Sequence, residues 1–498
     1  MNGVSMFMEK HFVPIAAKIG GEKHLVALRD AFIAALPATM AGSVAVMINA
    51  LIRDLPSQFI EGYNVQEIPV LGDIVRINGF MWNGTLAVVG IIFAFSWGYH
   101  LAKAYKVNPF AGGLVSLAAL LQGVAFSFNS GEVAVTLPQS AVDAINEAGG
   151  GFTATTESLQ AAGWGWLRLA NLDGNAYFTV MVLGGLATWI YCQLMLKNIT
   201  IKLPGTVPPA VANAFIAIIP ATVALYVTAA VYYVFSQTIG ATTGLTVIDW
   251  VRQTIAEPFM ALTQGLGSIL LITFLVSLLW FFGLHGTNIL GPVMSSIWGQ
   301  AQLINVNVFE TGFEGYTGVD AVRAAIPSGQ AFAWVSGSFD AFAWFGGAGG
   351  TLVLILLILV LSKRDDYRTV AKLSVAPGLF NINEPVMFGL PIVMNPMFLI
   401  PFVLAPMVGV TIGFFATQMG WVNPVTQPVL WVLPPFLMSF LATAGDWRAP
   451  IVTLVSFLAG AAIWAPFVLA ANAQVAKEDQ NLSVYGNPDE EEKLVENV

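Results

Sequence analysis

The chain has 498 residues, of which 56% are hydrophobic and 10% are charged, and its mean hydropathy is +0.74. Charged residues alone make up about 25% of an average soluble domain, so this composition excludes an ordinary soluble fold and predicts a polytopic membrane protein. The formal net charge of −9 comes without a basic stripe that could neutralise phosphates, which excludes a nucleic-acid partner. A single cysteine, Cys192, excludes an internal disulfide framework and a multi-cysteine metal site.

Five apolar stretches in the first half are long enough to be membrane helices, which need about 20 mostly apolar residues each. They cover residues 31–51, 80–101, 110–128, 177–196 and 207–235. Because many further spans follow, we interpret the first as a membrane helix after a short amphipathic segment, not as a signal peptide. Basic turns near residues 103 and 197 alternate with the long acidic segments 53–79 and 129–173. The positive-inside rule then predicts a cytoplasmic N-terminus and outward-facing long segments.

The pattern changes after Gly240, where residues 241–262 predict an amphipathic linker helix. Apolar residues recur at helical spacing, and polar residues occupy the opposite face. The apolar positions are Ile248, Val251, Ile255 and Phe259, and the polar positions are Asp249, Arg252, Gln253 and Glu257. We expect this helix to lie at the membrane interface between two halves of the chain, with a plain structured loop as the alternative.

The second half contains further apolar stretches, which glycine and proline interrupt. They cover residues 266–284, 332–361, 375–397, 398–419 and 451–471. The strongest basic cluster of the chain, at 363–372, is predicted to be cytoplasmic, as is the C-terminus after Lys477. Together the two halves predict an all-α membrane fold with about ten transmembrane helices and two re-entrant hairpins, which enter and leave on the same side.

One stretch of the second half, Asn381-Ile382-Asn383-Glu384-Pro385, places a carboxylate and amides where prolines prevent a continuous helix. Broken backbone at membrane depth is tolerated only where protein covers it or a cavity hydrates it, and an intramembrane carboxylate without a role is unfavourable. Glu384, Asn381 and Asn383 are therefore candidate binding residues, and this chemistry matches the hydroxyl groups of a neutral polyol. The alternative is a glutamate that caps a helix start beside proline.

His285 follows an aromatic apolar stretch and is the second candidate. A histidine that contacts a ligand or handles a proton, and a satisfied core histidine, are equally compatible with this position. Trp280 and Trp431 could present flat faces to a sugar ring, although packing or an interfacial position is the commoner use of any one tryptophan among 14. Asn288 is also a predicted binding residue. For Asp340 two interpretations remain: a carboxylate that faces the cavity, or a residue of an outward-facing loop.

Other motifs point away from catalysis by this chain alone. The glycine-rich run 346–350 lacks the lysine and the strand context of a phosphate loop and predicts close helix packing. Arg323 is expected to pair with Asp320 or Glu314. The sequence has no His-x-x-x-His metal spacing, no serine–histidine–aspartate motif and no nucleotide-binding motif. An ATP-driven pump within this chain is therefore not predicted, and we expect no metal and no cofactor.

Two motifs carry a resemblance to a known family. The segment Gly283-Leu284-His285-Gly286 and the longer segment 381–396, which reads NINEPVMFGLPIVMNP, resemble the membrane component, enzyme IIC, of bacterial phosphotransferase systems in the lactose/cellobiose/diacetylchitobiose family. The longer motif is highly specific, and the shorter one is specific in combination with it. The resemblance extends over nearly all of the chain and is weakest in segment 129–173, which looks like an insertion.

The resemblance implies a homodimer in the bacterial cytoplasmic membrane, with a chain of four parts. Residues 1–240 would form the N-terminal domain that makes the dimer interface, followed by the linker 241–262. Residues 263–475 would form the sugar-transport domain, which carries the re-entrant hairpins and moves as a unit in an elevator-type motion. Residues 476–498 would form an acidic cytoplasmic tail.

The resemblance also implies a substrate and partners. The substrate is a β-linked, cellobiose-like disaccharide, which the phosphocysteine of a separate enzyme IIB phosphorylates while the sugar is still bound, with enzyme IIA upstream. Glu384 and His285 match the family's substrate-contacting residues, and Trp280 and Trp431 match its binding tryptophans. Glu384 would orient the hydroxyl that is phosphorylated and is the candidate general base. Cys192 matches no enzyme IIB motif, so the phosphoryl donor is expected on another protein.

Two other classes of function remain open from the residues. An ion-coupled secondary sugar transporter could use Glu384 and His285 as a proton relay. A membrane-embedded enzyme or receptor without transport is the third class, and the absence of a nucleophile or metal motif disfavours it.

Overall fold

The computed structural model describes residues 21–485 except residues 55, 58, 59, 61, 150, 203–207 and 391. Helices dominate these residues and confirm the predicted all-α polytopic membrane fold. Within the described residues, six helices are long and apolar enough to cross a membrane, and they are Lys23–Asp54, Leu71–Ala104, Leu169–Leu196, Ala212–Thr243, Met397–Gln418 and Arg448–Asn472. The predicted amphipathic segment before residue 21 and the acidic end of the tail after residue 485 lie outside the described residues.

Several further apolar helices are bent or short. The helices Val247–Leu262 and Leu266–Phe281 form a pair that is bent by 77°, and Pro109–Leu121 and Ala348–Leu361 are apolar but shorter than a full span. Interrupted helices of this kind are tolerated at membrane depth where protein or a cavity surrounds them.

The contacts within the chain divide it into two compact units. The first unit comprises Val26–Thr39 and Trp82–Pro258, and the second comprises Met40–Met81 and Phe259–Val498 with the residues before Val26. The predicted domain boundaries at residues 240 and 263 stay a prediction, as does the orientation of the termini.

The first unit is built from helices that touch backbone to backbone. Its helices of ten or more residues are Val89–Ala104, Pro109–Leu121, Gln139–Ala148, Gly185–Leu196 and Pro209–Gln237, and it also includes Val26–Thr39 of helix Lys23–Asn49. A Cβ on Gly98 would lie 2.3 Å from the carbonyl oxygen of Gly112. Glycine therefore permits the helices that carry these two residues to approach more closely than any side chain would allow.

Cys192 is completely buried in an apolar cluster of the first unit. The cluster includes Ala102, Val115 and Tyr191, which come from three neighbouring helices. The thiol is a packing group in this position.

The segment 129–173 contains a small antiparallel sheet that the sequence analysis did not predict. Strands β1 (Ser127–Ala134), β2 (Phe152–Ala154) and β3 (Ser158–Trp164) are ordered β1-β3-β2, and the register of β1 on β3 shifts between Asn129 and Glu132. Strands β1 (SFNSGEVA) and β3 (SLQAAGW) show no regular alternation of apolar and polar residues, and β1 contains an irregularity, so their sequences carry no clear strand signal. The sheet is a local addition to a helical fold.

The linker is helical, as predicted. It runs as Val247–Val251, a π-helical turn Arg252–Ala256 and Glu257–Leu262. The apolar residues Ile255 and Phe259 are 42% and 48% exposed, a surface that lipid can cover at a membrane interface. Among the predicted polar positions, Asp249 differs, because it is only 4% exposed.

Asp249 tolerates burial because it is paired. One carboxylate oxygen accepts a hydrogen bond of 2.6 Å from Arg168 and one of 2.9 Å from the hydroxyl of Thr246. The partner Arg168 lies far away in the sequence, at the end of the sheet-containing segment, so the spacing of residues in the linker could not predict this pair.

The second unit alternates long spans with short helices. Its helices between the linker and residue 485 are Leu266–Phe281, Gly286–Met294, Ser295–Gly299 (π), Gln300–Thr311, Gly318–Ala325, Ser336–Phe342, Thr351–Leu361, Asp365–Leu379, Glu384–Gly389, Pro396–Gln418, Pro435–Ala442 and Arg448–Tyr485, and helix Leu71–Gly84 also belongs to it. Phe339 lies in the aromatic core of this unit, with Trp298, Trp334 and Trp344 within 5.5 Å of its ring centroid.

Two charged regions of the second unit differ in their pairing. In the predicted cytoplasmic basic cluster, a hydrogen bond from Arg364 lowers the pKa of the Asp366 carboxyl. Arg323, by contrast, forms no ion pair with Asp320 or Glu314 in the described part of the chain, so the expected pairing of Arg323 is wrong. Its side chain is exposed on helix Gly318–Ala325.

Candidate functional site

The backbone breaks where the proline-rich motif is predicted to break it. Helix Asp365–Leu379 ends shortly before Asn381, a non-glycine residue with a φ of 62°. A new short helix, Glu384–Gly389, has proline in its first turn, where the missing N–H of proline is tolerated. Glu384 is thus the first helical residue, and 48% of its side chain is exposed.

His285 lies in a tight turn between two helices. Gly283 follows helix Leu266–Phe281 with a φ of 74°. The N–H of Leu284 reaches back to the carbonyl of Leu279 at 3.0 Å, an arrangement typical of helices that end at glycine. The turn ends this membrane helix and exposes the imidazole at its end.

Gly286 brings the start of the next helix, Gly286–Met294, against the preceding one. A Cβ at this position would lie 2.2 Å from the carbonyl oxygen of Val276. Real Cβ atoms do not approach a backbone oxygen so closely, so only glycine fits here. The glycine beside His285 therefore permits a close approach between two helix backbones.

The two motifs meet through both backbone and side chains. The N–H of Met394 donates to the carbonyl of Phe281 at 2.9 Å. Nε2 of His285 lies 3.9 Å from Oε1 of Glu384, and 39% and 48% of the two side chains are exposed. This separation is too long for a hydrogen bond. An imidazole and a carboxylate thus lie side by side, and both remain accessible to a ligand.

The second ring nitrogen of His285 is already occupied. Nδ1 lies 3.0 Å from the hydroxyl oxygen of Thr287 and accepts a hydrogen bond of 3.2 Å from the backbone N–H of Asn288. The histidine side chain thereby caps helix Gly286–Met294. Thr287 was missed in the sequence, where a hydroxyl near a helix start was the available signal. Asn288 enters through its backbone, and its side chain is exposed.

The two predicted binding tryptophans occupy different environments. Trp280 is 4% exposed, and its ring centroid lies 4.3 Å from that of His285 at an interplanar angle of 46°. Its ring packs against the imidazole and, because it is buried, offers little surface to a ligand. Trp431 is 45% exposed, so its indole face is available for stacking.

The side-chain amides of Asn381 and Asn383 bind backbone groups. Asn381 accepts a hydrogen bond of 2.9 Å from the N–H of Gly346 and donates to the carbonyls of Trp431 and Leu433 at 2.6 and 3.0 Å. Asn383 donates to the carbonyl of Ala348 at 3.2 Å. Both residues are at least 90% buried. A sugar hydroxyl could accept from the Asn381 amide only if one of these hydrogen bonds broke, whereas Asn383 uses a single donor of its amide.

The glycine run 346–350 forms a turn that also packs closely against a helix, because a Cβ on Gly349 would lie 2.1 Å from the ring of Phe402 in helix Pro396–Gln418. Four of its five residues have positive φ: Gly346, Gly347, Gly349 and Gly350. The turn lies against the Glu384 motif through the hydrogen bonds to Asn381 and Asn383. The positive φ angles of the turn require glycine. From the sequence alone, a run of small residues does not show whether glycine is needed for such angles or for close helix packing.

Asp340 has no hydrogen bond to the histidine–glutamate pair in the described residues. It belongs to helix Ser336–Phe342 and is half-buried. No hydrogen bond or ion pair joins it to His285 or Glu384 over the described ranges. In the same residues, no group of three or more histidine, cysteine or acidic side chains has an arrangement that could hold a metal ion. The candidate site therefore consists of an imidazole and a carboxylate, and the backbone of Trp431 is joined to the same motif through Asn381.

Most of the chain matches one family model. Residues 29–406 match the model described as "Phosphotransferase system, EIIC". The chain is 46% identical over 496 residues to the PTS system cellobiose-specific EIIC component of Lactococcus lactis subsp. lactis, which covers 95% of this chain and 98% of that protein. It is 27% identical to the PTS system lactose-specific EIICB component of Staphylococcus haemolyticus, over 100% of this chain and 75% of that protein.

The fold is also similar to a solved structure. This is the crystal structure of the transporter ChbC, the IIC component from the N,N'-diacetylchitobiose-specific phosphotransferase system, which superposes with a TM-score of 0.80 at 29% sequence identity. The similarity covers 95% of this chain and 99% of that one.

Proposed function

The chain belongs to the phosphotransferase system EIIC family, and we propose that it carries a cellobiose-like, β-linked disaccharide inward and presents it, still bound, to the phosphocysteine of an EIIB partner. Membership in the family makes it a multi-pass membrane component of sugar transport that works with EIIB. The choice of sugar is supported by the relative at 46% identity, whose name specifies cellobiose.

The observation that supports this function best is the pair formed by His285 and Glu384. The two side chains are accessible, lie 3.9 Å apart and belong to the two motifs of the sequence resemblance. A sugar hydroxyl both donates and accepts hydrogen bonds, so an imidazole and a carboxylate can hold the same hydroxyl. Trp431 would add a flat apolar face for the sugar ring.

In the proposed reaction Glu384 orients one sugar hydroxyl and accepts its proton. The hydroxyl oxygen attacks the phosphorus of the EIIB phosphocysteine, so an O–P bond forms and the S–P bond breaks, and the cysteine leaves as a thiolate. His285 donates a hydrogen bond to the same hydroxyl. This bond keeps the attacking lone pair of the hydroxyl oxygen directed at phosphorus. The phosphoryl group comes from EIIB. EIIB in turn receives it from EIIA, which acts upstream.

The remaining parts of the proposal concern the assembly. The protein acts as a homodimer in the bacterial cytoplasmic membrane with both termini in the cytoplasm. Residues 1–240 form the dimer interface, 241–262 the linker, and 263–475 the part that moves with the sugar in an elevator-type motion, before the acidic tail 476–498. The basic residues around 363–372 support a cytoplasmic position for that turn.

Sugar binding by the purified protein tests the site. Glu384→Gln keeps the shape of the side chain and removes its charge, and we expect cellobiose affinity to fall at least tenfold by calorimetry, because a hydrogen bond to a charged acceptor contributes about 1.5–3 kcal/mol. Glu314→Gln, at an exposed turn residue, is the matched control and should bind normally. Equal affinity in the wild type and Glu384→Gln would contradict the assignment.

Uptake into membrane vesicles separates this function from proton-coupled transport. Vesicles that contain the wild-type protein should accumulate sugar phosphate only when phosphorylated EIIB is supplied. Accumulation of unmodified sugar that follows a proton gradient and ignores EIIB would favour a secondary transporter.

A further inference from the structure

The hydrogen bonds around His285 determine which ring nitrogen carries the proton. The backbone N–H of Asn288 lies 3.2 Å from Nδ1 and can only donate. This contact favours the tautomer in which Nδ1 carries a lone pair, but the same N–H also lies 3.0 Å from the carbonyl oxygen of His285, so it does not fix the tautomer by itself. The hydroxyl of Thr287, 3.0 Å from the same nitrogen, then acts as a second donor to it.

The proton of the neutral imidazole consequently lies on Nε2, the nitrogen that faces Glu384. Nε2 and Oε1 of Glu384 are 3.9 Å apart. A hydroxyl oxygen placed about 2.8 Å from each atom fits this gap. It accepts a hydrogen bond from His285 and donates its own hydrogen to Glu384, so both side chains are satisfied without conflict.

We propose that Thr287 is a positioning residue that, with the N–H of Asn288, fixes His285 as an Nε2–H donor and so makes the site selective for a hydroxyl group. The identity of the ligand in this inference rests on the proposed function. The tautomer of the histidine does not. In the opposite tautomer, Nε2 and the carboxylate would both be acceptors, and the single hydrogen of a hydroxyl could satisfy only one of them.

The same geometry defines what the site rejects. A fluorine in place of the bound hydroxyl accepts weakly and donates nothing, so it leaves Glu384 without its hydrogen bond. A hydrogen in that place satisfies neither side chain. We consider cellobiose analogues in which one hydroxyl at a time is replaced by fluorine or by hydrogen. At one position, both replacements should weaken binding. The two analogues changed at that position should bind the wild type and Glu384→Gln with equal affinity.

Nitrogen-15 NMR of the full chain in nanodiscs, labelled at histidine, reads the tautomer directly. The chain has four histidines, and the signals of His285 are assigned by their loss in His285→Asn. We expect the neutral Nε2–H form. Thr287→Val should increase the Nδ1–H fraction and weaken cellobiose binding about three- to tenfold, the effect of one neutral hydrogen bond, whereas Thr287→Ser should restore both.

Thr317→Val is the matched control, because Thr317 precedes helix Gly318–Ala325 without a side-chain cap. It should alter neither the spectrum nor the affinity. A wild-type Nδ1–H form, or a Thr287→Val protein with unchanged spectrum and affinity, would overturn the proposal. The proposed function fails in a different experiment, when Glu384→Gln leaves affinity unchanged, since the tautomer signal of the ligand-free protein does not depend on that result.

Discussion

The side chain of Asn381 donates a hydrogen bond of 2.6 Å to the backbone carbonyl of Trp431. The same amide also binds Leu433 and Gly346, so a residue three positions before the candidate base holds two other segments in place. Asn381 thus connects the exposed indole that is proposed to stack on the sugar with the motif that carries Glu384.

Replacing Asn381 by aspartate tests this connection. The change keeps the volume but turns a donor to two carbonyls into an acceptor, and a buried polar group left without its partner costs about 1–3 kcal/mol or more. We expect lower thermal stability and weaker sugar binding. Asn288→Asp, at an exposed asparagine of the same half, is the control for stability. An Asn381→Asp protein with wild-type stability would contradict the role of the amide.

Gly286→Ala tests the close approach beside His285. The added Cβ would lie 2.2 Å from the carbonyl of Val276, and overpacking of this kind costs about 1–3 kcal/mol. We predict a lower midpoint of thermal unfolding and loss of sugar binding. Gly291→Ala, in the same helix but with open space at its Cβ, should be neutral. Equal melting of the two variants would show that the helices do not touch at Gly286.

Arg168→Ala tests the buried carboxylate of the linker. Without its partner, Asp249 would keep a buried charge with only the neutral side-chain donors Thr246 and Asn171, the latter at 3.4 Å. Because Arg168 is itself half-exposed, we expect a loss of about 1–3 kcal/mol in the free energy of unfolding, at the lower end for a broken buried pair. Arg76→Ala, which removes an exposed pair with Asp73, should cost at most about 1 kcal/mol.

Chemical labelling tests the predicted orientation. Cys192 is the only cysteine and is completely buried, so Cys192→Ala provides a background without reactive thiols. In that background, Thr156→Cys should react with a membrane-impermeant maleimide added to intact cells, because segment 129–173 is predicted to face outward. Lys372→Cys should react only after the cells are opened. The reverse pattern would invert the topology.

The sequence predicted those parts of the structure whose signals are local. Glu384 and His285 could be identified because a charged or titratable side chain beside proline or glycine in an apolar stretch is a rare local pattern. The helical spans and the linker helix could be predicted for the same reason, from the composition and periodicity of a single window.

Features that depend on distant partners were not predicted. The burial of Asp249 depends on Arg168, and the role of Asn381 depends on carbonyls in the segments of Gly346 and Trp431. Strands β1 and β3 lack a regular alternation of apolar and polar residues, so their pairing with each other could not be recognised. In each case the sequence contained the residues but not the contact that gives them their role.

Phosphoryl transfer from EIIB tests the central claim most directly. Membranes that contain the wild type, Glu384→Gln or Glu314→Gln would receive EIIB labelled with phosphorus-32 at its cysteine, together with cellobiose, and labelled sugar phosphate would be counted over time. We predict formation at the same rate with the wild type and Glu314→Gln, and a rate lower by about 10²-fold or more with Glu384→Gln, as expected for loss of a positioned base. Wild-type rates with Glu384→Gln would contradict the account.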